Sequence, residues 1–595
     1  MGDPAATRLT SRKLPAFGLF NRGYSRWLSR FLDCTESAMS VLSNSIQTEC
    51  SSAAAVSRSR WINFLVFAVT AYIFAWTTLI PVLNFGFFGD DFAFLNWTSN
   101  LTLGSWLHDW LAPNHFNLTY RPIAMFVYLV YASASAPLCY ALLAALYAIN
   151  LLVLYYVFRK LSNPTIAALA ILIFAGGFIY YDATHKVYNL ITQLSALCFL
   201  SSLHSYLRRW DHDDGKGSMR FAYLAFALSL LTYEITLFGF LVFFAFAWVK
   251  LPARKVNGFG RSIFAALKAS WGFAIISLCY LIVNFLSPIK AAHLREHAIP
   301  IGWSTVPVII SRAKNVFINT LAWMATLDQS TLKAEFFSVQ WAISGFVFLA
   351  ILAALLVAGP SIIRRGVQEI GASDHGLLML TGLVWFVALL LPGAVSSYFD
   401  YRMTFLAYAG FSLLVAAFIH GVYITLINAM PIGGDVASGG VAIMFSALLS
   451  IWLISNLSLT HKMNRNLFEA SRGQSRILES MGSYLRNFKN DSVIVVQYRH
   501  APNQDLPYPY QASPFAEDFA LSEALKANFG ETVADASLFF RPERDRFEIG
   551  RFAFAQHSYS YDRLILFAYE NDRVMPQFRL QVSGSTITLP QQASQ

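Results

Sequence analysis

The sequence predicts an α-helical polytopic membrane protein with a small α/β domain at its C-terminal end. Three observations predict it. Apolar runs of near-spanning length recur between residues 61 and 460. The 595-residue chain is 56% hydrophobic and only 13% charged, against roughly 25% charge in soluble domains. Past residue 460 the long apolar runs stop and charges become frequent. The net charge of +10 in such a chain serves orientation and contact with anionic lipid, so no nucleic-acid partner is expected.

Residues 1–60 read as a basic cytoplasmic arm, with eight Lys/Arg against four acids. Within it, Arg22, Arg26 and Arg30 repeat at i, i+4, i+8 along Phe17–Leu32, as in an amphipathic helix on the inner leaflet. Residues 61–460 form the transmembrane domain. Trp61–Leu83 is the first span, and Arg58 and Arg60 before it set its start inside. An outer loop, 85–137, follows. It is too polar to span yet carries Trp97, Trp106 and Trp110, and its Pro122 opens a short apolar helix. Further spans are expected at about 138–158, 164–181, 187–207, 219–233, 235–249, 265–287, 337–358, 376–394, 402–421 and 440–459, making about eleven. Lys and Arg fall in the predicted inner loops at 159–160, 208–220, 250–261 and 364–365. This favours two short spans around Glu234 over one long helix. A second outer loop covers 288–336.

Residues 461–595 read as an extramembrane domain on the outer face. Ser492–Gln497 and Leu564–Ala568 look like buried strands and Ser522–Asn528 like a helix. The five cysteines have no metal or disulfide spacing, so no metal site is assigned to them. No repeat of 20–50 residues is apparent.

Under this topology ionisable residues gather at the outer ends of the spans. Asp90 and Asp91 sit in Phe87–Phe92, FFGDDF, just past the first span. Tyr120 and Arg121 close the first loop. His185 and Lys186, then Glu234, then Asp400 and Arg402 lie in later connections at the same face. Charge at that depth is costly unless paired or wet, so their convergence implies a polar cavity opening outward. Such a cavity suits nucleophilic displacement. A carboxylate takes the proton of an acceptor hydroxyl, and cations neutralise a departing phosphate. Adjacent residues point in different directions, so one aspartate would be the base. The other would orient it, bind acceptor or hold a divalent cation such as Mg or Mn. A cap for the following helix would need only one Asp.

These segments resemble the GT-C superfamily of membrane glycosyltransferases, nearest its protein O-mannosyltransferase-like branch and bacterial relatives. FFGDDFAFLNW matches the family's acidic pair after the first span. Tyr120-Arg121-Pro122-Ile123 stands where relatives carry Tyr-Arg-Pro-Leu. Cys139–Lys160 is similar to their second span, Tyr233-Glu234 to a mid-chain Lys-Glu or Ser-Glu pair, and Ser397–Gly410 to a late segment containing Arg. A His-Pro-Pro motif of the mannosyltransferase type is absent. The resemblance implies a polyprenyl-phosphate-linked sugar donor and a glycan, lipid or protein acceptor. It implies Asp90 or Asp91 as general base, and Arg402 with Lys186 or Arg121 on the phosphate. The expected location is the bacterial inner membrane, with the C-terminus in the periplasm, the alternative being an endoplasmic reticulum membrane with it in the lumen. The competing readings are a transporter or flippase of lipid-linked saccharide, which calls for midplane charges and internal repeats, and a polymerase- or ligase-type enzyme built on loop arginines.

Overall fold

The computed structural model describes residues 67–87, 90–99, 102–111, 121–177, 180–210, 215–250, 259–285, 372–395, 401–429 and 434–485. Beyond these it describes 493–498, 535–539 and most of 547–589, with a few residues at 306–314 and 521–525. The N-terminal arm, which falls in a separate unit Met1–Trp61, the expected span 337–358 and most of the loop 288–336 lie outside the described residues.

The first helix, α1 (Phe67–Val82), is short and apolar. It passes through a π turn at Ala75–Leu79, where Ile80 N–H reaches the carbonyl of Ala75. Single π turns of this kind sit preferentially at functional sites. Next come α2 (Asp90–Ser99), α3 (Leu103–Leu111) and α4 (Pro122–Ser133). Pro122 occupies the first turn of α4, where its missing N–H costs nothing. Helix α5 (Ala136–Leu161) is a full span, and α6 (Pro164–Ala175) starts on Asn163, whose side chain caps the N–H of Ile166 at 2.8 Å.

Where the sequence suggests one continuous span from residue 187, the chain instead makes a short helix α7 (Tyr181–His185) and a 3-10 turn (Val187–Asn189) before α8 (Leu190–Arg208). Helices α9 (Gly215–Thr232) and α10 (Phe240–Lys250) are separate, with a 3-10 turn (Glu234–Thr236) between them. The chain therefore breaks at Glu234 rather than running through as one helix. Helices α11 (Phe259–Phe285), α12 (Ala372–Val395), α13 (Thr404–Ala429) and α14 (Gly434–Leu485) follow, with a 3-10 turn at Tyr401–Met403 heading α13.

Among the described residues, six helices are long and apolar enough to cross a bilayer: those within α5, α8, α11, α12, α13 and α14. Four shorter apolar helices, α1, α6, α9 and α10, accompany them. The chain is thus a helical, multi-pass membrane protein. Buried backbone groups must find partners inside the protein, and the broken segment shows how. The carbonyl of Asp182 accepts from Asn189 Nδ2 and that of Ala183 from Gln193 Nε2, while Asn150 holds Gln193 from α5.

Helix α14 runs 52 residues, well past the span expected at 440–459. Its buried positions Met463, Leu467, Ala470, Gln474, Ile477 and Met481 continue a 3–4 spacing through a polar stretch. It leads into a four-stranded sheet ordered β2-β1-β6-β7. Strand β1 (Val493–Tyr498) pairs in parallel with β2 (Asp535–Phe539) and β6 (Leu564–Glu570), and β6 pairs antiparallel with β7 (Arg573–Gln577). All of Leu564–Ala568 is buried, as expected of a central strand covered on both faces. A three-stranded sheet (β3 Phe547–Glu548, β4 Arg551–Phe554, β5 His557–Ser560) and a hairpin (β8 Arg579–Val582, β9 Ser585–Thr588) follow.

The apolar interior falls into two clusters. One fills the helical bundle. The other gathers Ile494, Val496, Leu525 and Phe567 of the sheet domain with Ile477 and Met481 of α14 and Phe92 of α2. Phe87 and Leu95 pack against both clusters.

Candidate active site

The predicted residues come from segments far apart in sequence, and the structure gathers them through one residue the sequence did not single out, Tyr188. Asp91, in the first turn of α2, is fully buried, and its Oδ1 accepts the backbone N–H of Tyr188 at 2.9 Å. The Tyr188 ring faces two cations: Arg402, with Cζ 4.9 Å from the ring centroid, and Lys186, with Nζ 5.9 Å away. Lys186 also pairs with Asp182 one turn earlier, at 3.2 Å. Asp91, Lys186 and Arg402 thus share one aromatic neighbour although they lie in three different parts of the chain. Asp90 opens α2, but its side chain lies outside the described residues, as do Tyr120 and Asp400.

Arg121 and Glu234 meet each other. Arg121, at the N-cap of α4, donates through Nε to Glu234 Oε2 at 2.7 Å and through Nη2 to Oε1 at 2.5 Å. This is a bidentate fork matched to the carboxylate plane. The pair is partly open, with the two side chains 19% and 27% exposed. Burial alone would lower the Arg121 pKa, but the charge and hydrogen bonds of Glu234 outweigh it and hold the guanidinium above its ordinary value. The guanidinium also lies 4.6 Å from the centroid of the Tyr233 ring. Tyr128 of α4, stacked on Phe94, feels the charge of both groups. Burial raises its phenol to about 12, against the opposing pull of both Arg121 and Arg402.

Glu234 is presented by a polar clasp. The Ser195 hydroxyl of α8 lies within hydrogen-bond distance of the carbonyls of Ser229 and Tyr233, and the Ser229 and Thr236 hydroxyls are 2.9 Å apart. All three side chains are fully buried.

His185 is placed differently from the other predicted residues. It is 2% exposed, and both ring nitrogens are engaged inside the protein. Nε2 meets the carbonyl of Thr77 at 2.8 Å, and Nδ1 meets the Thr184 hydroxyl at 2.7 Å. A carbonyl only accepts, so Nε2 donates to Thr77, while Nδ1 lies within hydrogen-bond distance of both the Thr184 hydroxyl and, at 3.1 Å, the Tyr181 carbonyl. The Tyr181 ring stacks on the imidazole, and its hydroxyl donates to Asn464 Oδ1 at 2.8 Å. Asn464 in turn donates to the Thr77 carbonyl at 2.8 Å. His185 therefore lies behind the Lys186 turn and braces it.

Three residues of this arrangement escaped the sequence reading. Asp182 had a signal, its i, i+4 spacing to Lys186. Tyr188 and Asn464 had none, being uncharged residues in a connection and in a helix. Among the described residues, no three His, Cys, Asp or Glu side chains gather to hold a metal ion.

Fold and site together define a polytopic helical membrane protein in which carboxylates and cations converge where several helix connections meet. No family model matches the sequence, and no curated protein matches it. Solved structures to which the chain is similar include the oligosaccharyltransferase of Archaeoglobus fulgidus tethered to an acceptor peptide, at 12% identity and a TM-score of 0.39 over 81% of this chain. The archaeal oligosaccharyltransferase AglB from the same organism, in complex with an inhibitory peptide and a dolichol-phosphate, matches at 13% and 0.39 over 80%. ArnT from Cupriavidus metallidurans, bound to undecaprenyl phosphate, matches at 14% and 0.29 over 80% of this chain and 90% of its own. The chain spans 64% of the length of each of the two oligosaccharyltransferase chains.

Proposed function

We propose that the protein is a membrane glycosyltransferase that moves a sugar from a polyprenyl-phosphate-linked donor to an acceptor hydroxyl at the outer face. The observation that carries this reading is the grouping at Tyr188: a buried carboxylate on its N–H and two cations over its ring. A displacement at a sugar carbon needs both. As the acceptor oxygen attacks the anomeric carbon, a carboxylate removes its proton. The bond from that carbon to the phosphate oxygen breaks, and the charge left on the lipid phosphate is met by Lys186 and Arg402. Lys186 has Asp182 beside it at 3.2 Å, and Arg121 is held bidentately by Glu234. That pair, partly open and flanked by Tyr233, serves as a polar wall for substrate.

Asp91 is fully buried with one oxygen bound to a backbone N–H, which suits an orienting carboxylate. Asp90, one residue along α2 and about 100° around it, takes the base role. The carboxylates Asp91, Asp182 and Glu234 are each engaged with a protein donor, and the chelator arm of the test below reads whether a divalent cation takes part.

The test uses Asp90→Asn and Asp91→Asn in membranes supplied with polyprenyl-phosphate sugars, with and without a chelator. Loss of sugar from lipid and its gain by an acceptor fraction are followed. At least one variant is expected to lose about 100-fold or more of the transfer rate at normal protein level. Parent-like activity in both would overturn the reading. So would a parent that moves lipid-linked sugar across the membrane without cleaving it, which defines a flippase.

A further inference from the structure

We infer that Pro81 is a positioning residue: by withholding a backbone N–H from the Thr77 carbonyl, it leaves that carbonyl to His185 and Asn464 and so holds the Lys186–Tyr188 turn against Asp91. In an α-helix the N–H of residue 81 would close on the carbonyl of residue 77. Proline has no N–H to give. The turn just before it is already loosened into π geometry, with Ile80 N–H bonded to Ala75. The Thr77 carbonyl therefore turns to side chains instead and accepts His185 Nε2 and Asn464 Nδ2, both at 2.8 Å.

The oxygen has two lone pairs, and both are occupied. It ties three segments together at one buried point: α1, the α7 turn, and α14. Tyr181 closes the ring of contacts by stacking on His185 and donating to Asn464. Lys186 follows His185 directly. Two residues later comes Tyr188, whose N–H holds Asp91. A shift of the anchor is thus passed to a site cation and to a site carboxylate within three residues.

Pro81→Ala restores an N–H aimed at an oxygen that has no lone pair left. One of the two side-chain donors must yield. Replacing a proline inside a helix otherwise favours the helix, so a packing role and a positioning role predict different results. The kinetic part of the test rests on the glycosyl-transfer reading; the exchange part does not.

The full-length Pro81→Ala protein, purified in detergent, is compared with the parent by amide hydrogen exchange, thermal midpoint and transfer kinetics. Exchange in 181–190 is expected to rise about tenfold while the rest of the chain and the thermal midpoint hold. The kcat falls about tenfold or more, with little change in donor KM, as a small misplacement near the reacting groups does. Asn464→Ala gives the same local exchange and adds little to Pro81→Ala, because both act on one oxygen. Unchanged exchange in 181–190 overturns the anchor, and so does a rise spread over the whole chain. A local rise with parent-like kcat overturns the positioning role. If the parent transfers no sugar, the proposed function fails, and the exchange pattern alone decides whether Pro81 holds the turn.

Discussion

His185 is neutral at physiological pH because charging it would bury a cation. Burial pulls its pKa from the ordinary 6.5 to about 4, against the opposing effect of its bonds to Thr77 and Tyr181. The unfolded chain therefore binds more protons than the folded one between those two values. The stabilising contribution is complete above pH 6.5 and is lost as pH falls toward 4. It amounts to about 3 kcal/mol. The thermal midpoint of the purified protein should fall between pH 7 and pH 5, and His185→Gln should flatten that slope. A parent profile flat over this range would mean that His185 is not held neutral. At this scale the sequence was legible only in part. The charges at the outer ends of the spans were visible, but not their pairing. Arg121 and Glu234 stand 113 residues apart, and nothing local says that they meet. The anchor was legible in principle, because Pro81 inside an apolar helix always frees a carbonyl one turn back.

The elements carry the site through close approaches. Helices α12 and α13 touch backbone to backbone at Gly382 and Gly410. A Cβ on Gly410 would lie 2.5 Å from Phe386 N and 2.7 Å from Gly382 O, and one on Gly382 would lie 2.7 Å from Leu414 N. Small residues of this kind let membrane helices pack closely. Gly410→Ala should destabilise the pair by about 1–3 kcal/mol. It should also weaken transfer, since α13 starts directly after the Arg402 turn. Gly376→Ala on α12, where a Cβ meets nothing within 4 Å, is the control. Thermal midpoints of both variants check this, and equal midpoints would refute it. Most of these helices were readable from apolar runs because membrane depth enforces them. The break at Glu234 was readable from the placement of Lys and Arg around it. The turn at 187–189 was not, because the buried bonds of Asn189 and Gln193 that stabilise it are tertiary.

At the scale of the whole molecule, the sheet domain and the helical bundle share residues rather than a hinge. Phe92, one residue after Asp91, is buried in the cluster of the sheet domain. Phe92→Ala should therefore loosen the C-terminal domain by about 3 kcal/mol. Limited proteolysis should then release fragments from 490 onward while the spans remain intact. Unchanged protease resistance would show that the domain does not depend on α2. The sequence reading placed a domain border near residue 460 because apolar runs end there. The structure continues α14 to Leu485, since buried positions at 3–4 spacing persist among polar neighbours.

That helix also acts as a ruler. Asn464, Ser471 and Leu478 recur every seven residues on one side. They reach the Thr77 carbonyl, the N–H of Gly86 at 2.8 Å and the sheet domain's core respectively. Its phase is thereby set at three heights. One residue inserted between Ser471 and Ile477 would turn everything beyond it by about 100° and raise it by about 1.5 Å. Seven inserted residues would nearly restore the facing side but lift the sheet domain by about 10 Å. The length of α14 is thus a dimension of the candidate site, fixing how far from the helical bundle the sheet domain that buries Phe92, next to Asp91, can stand.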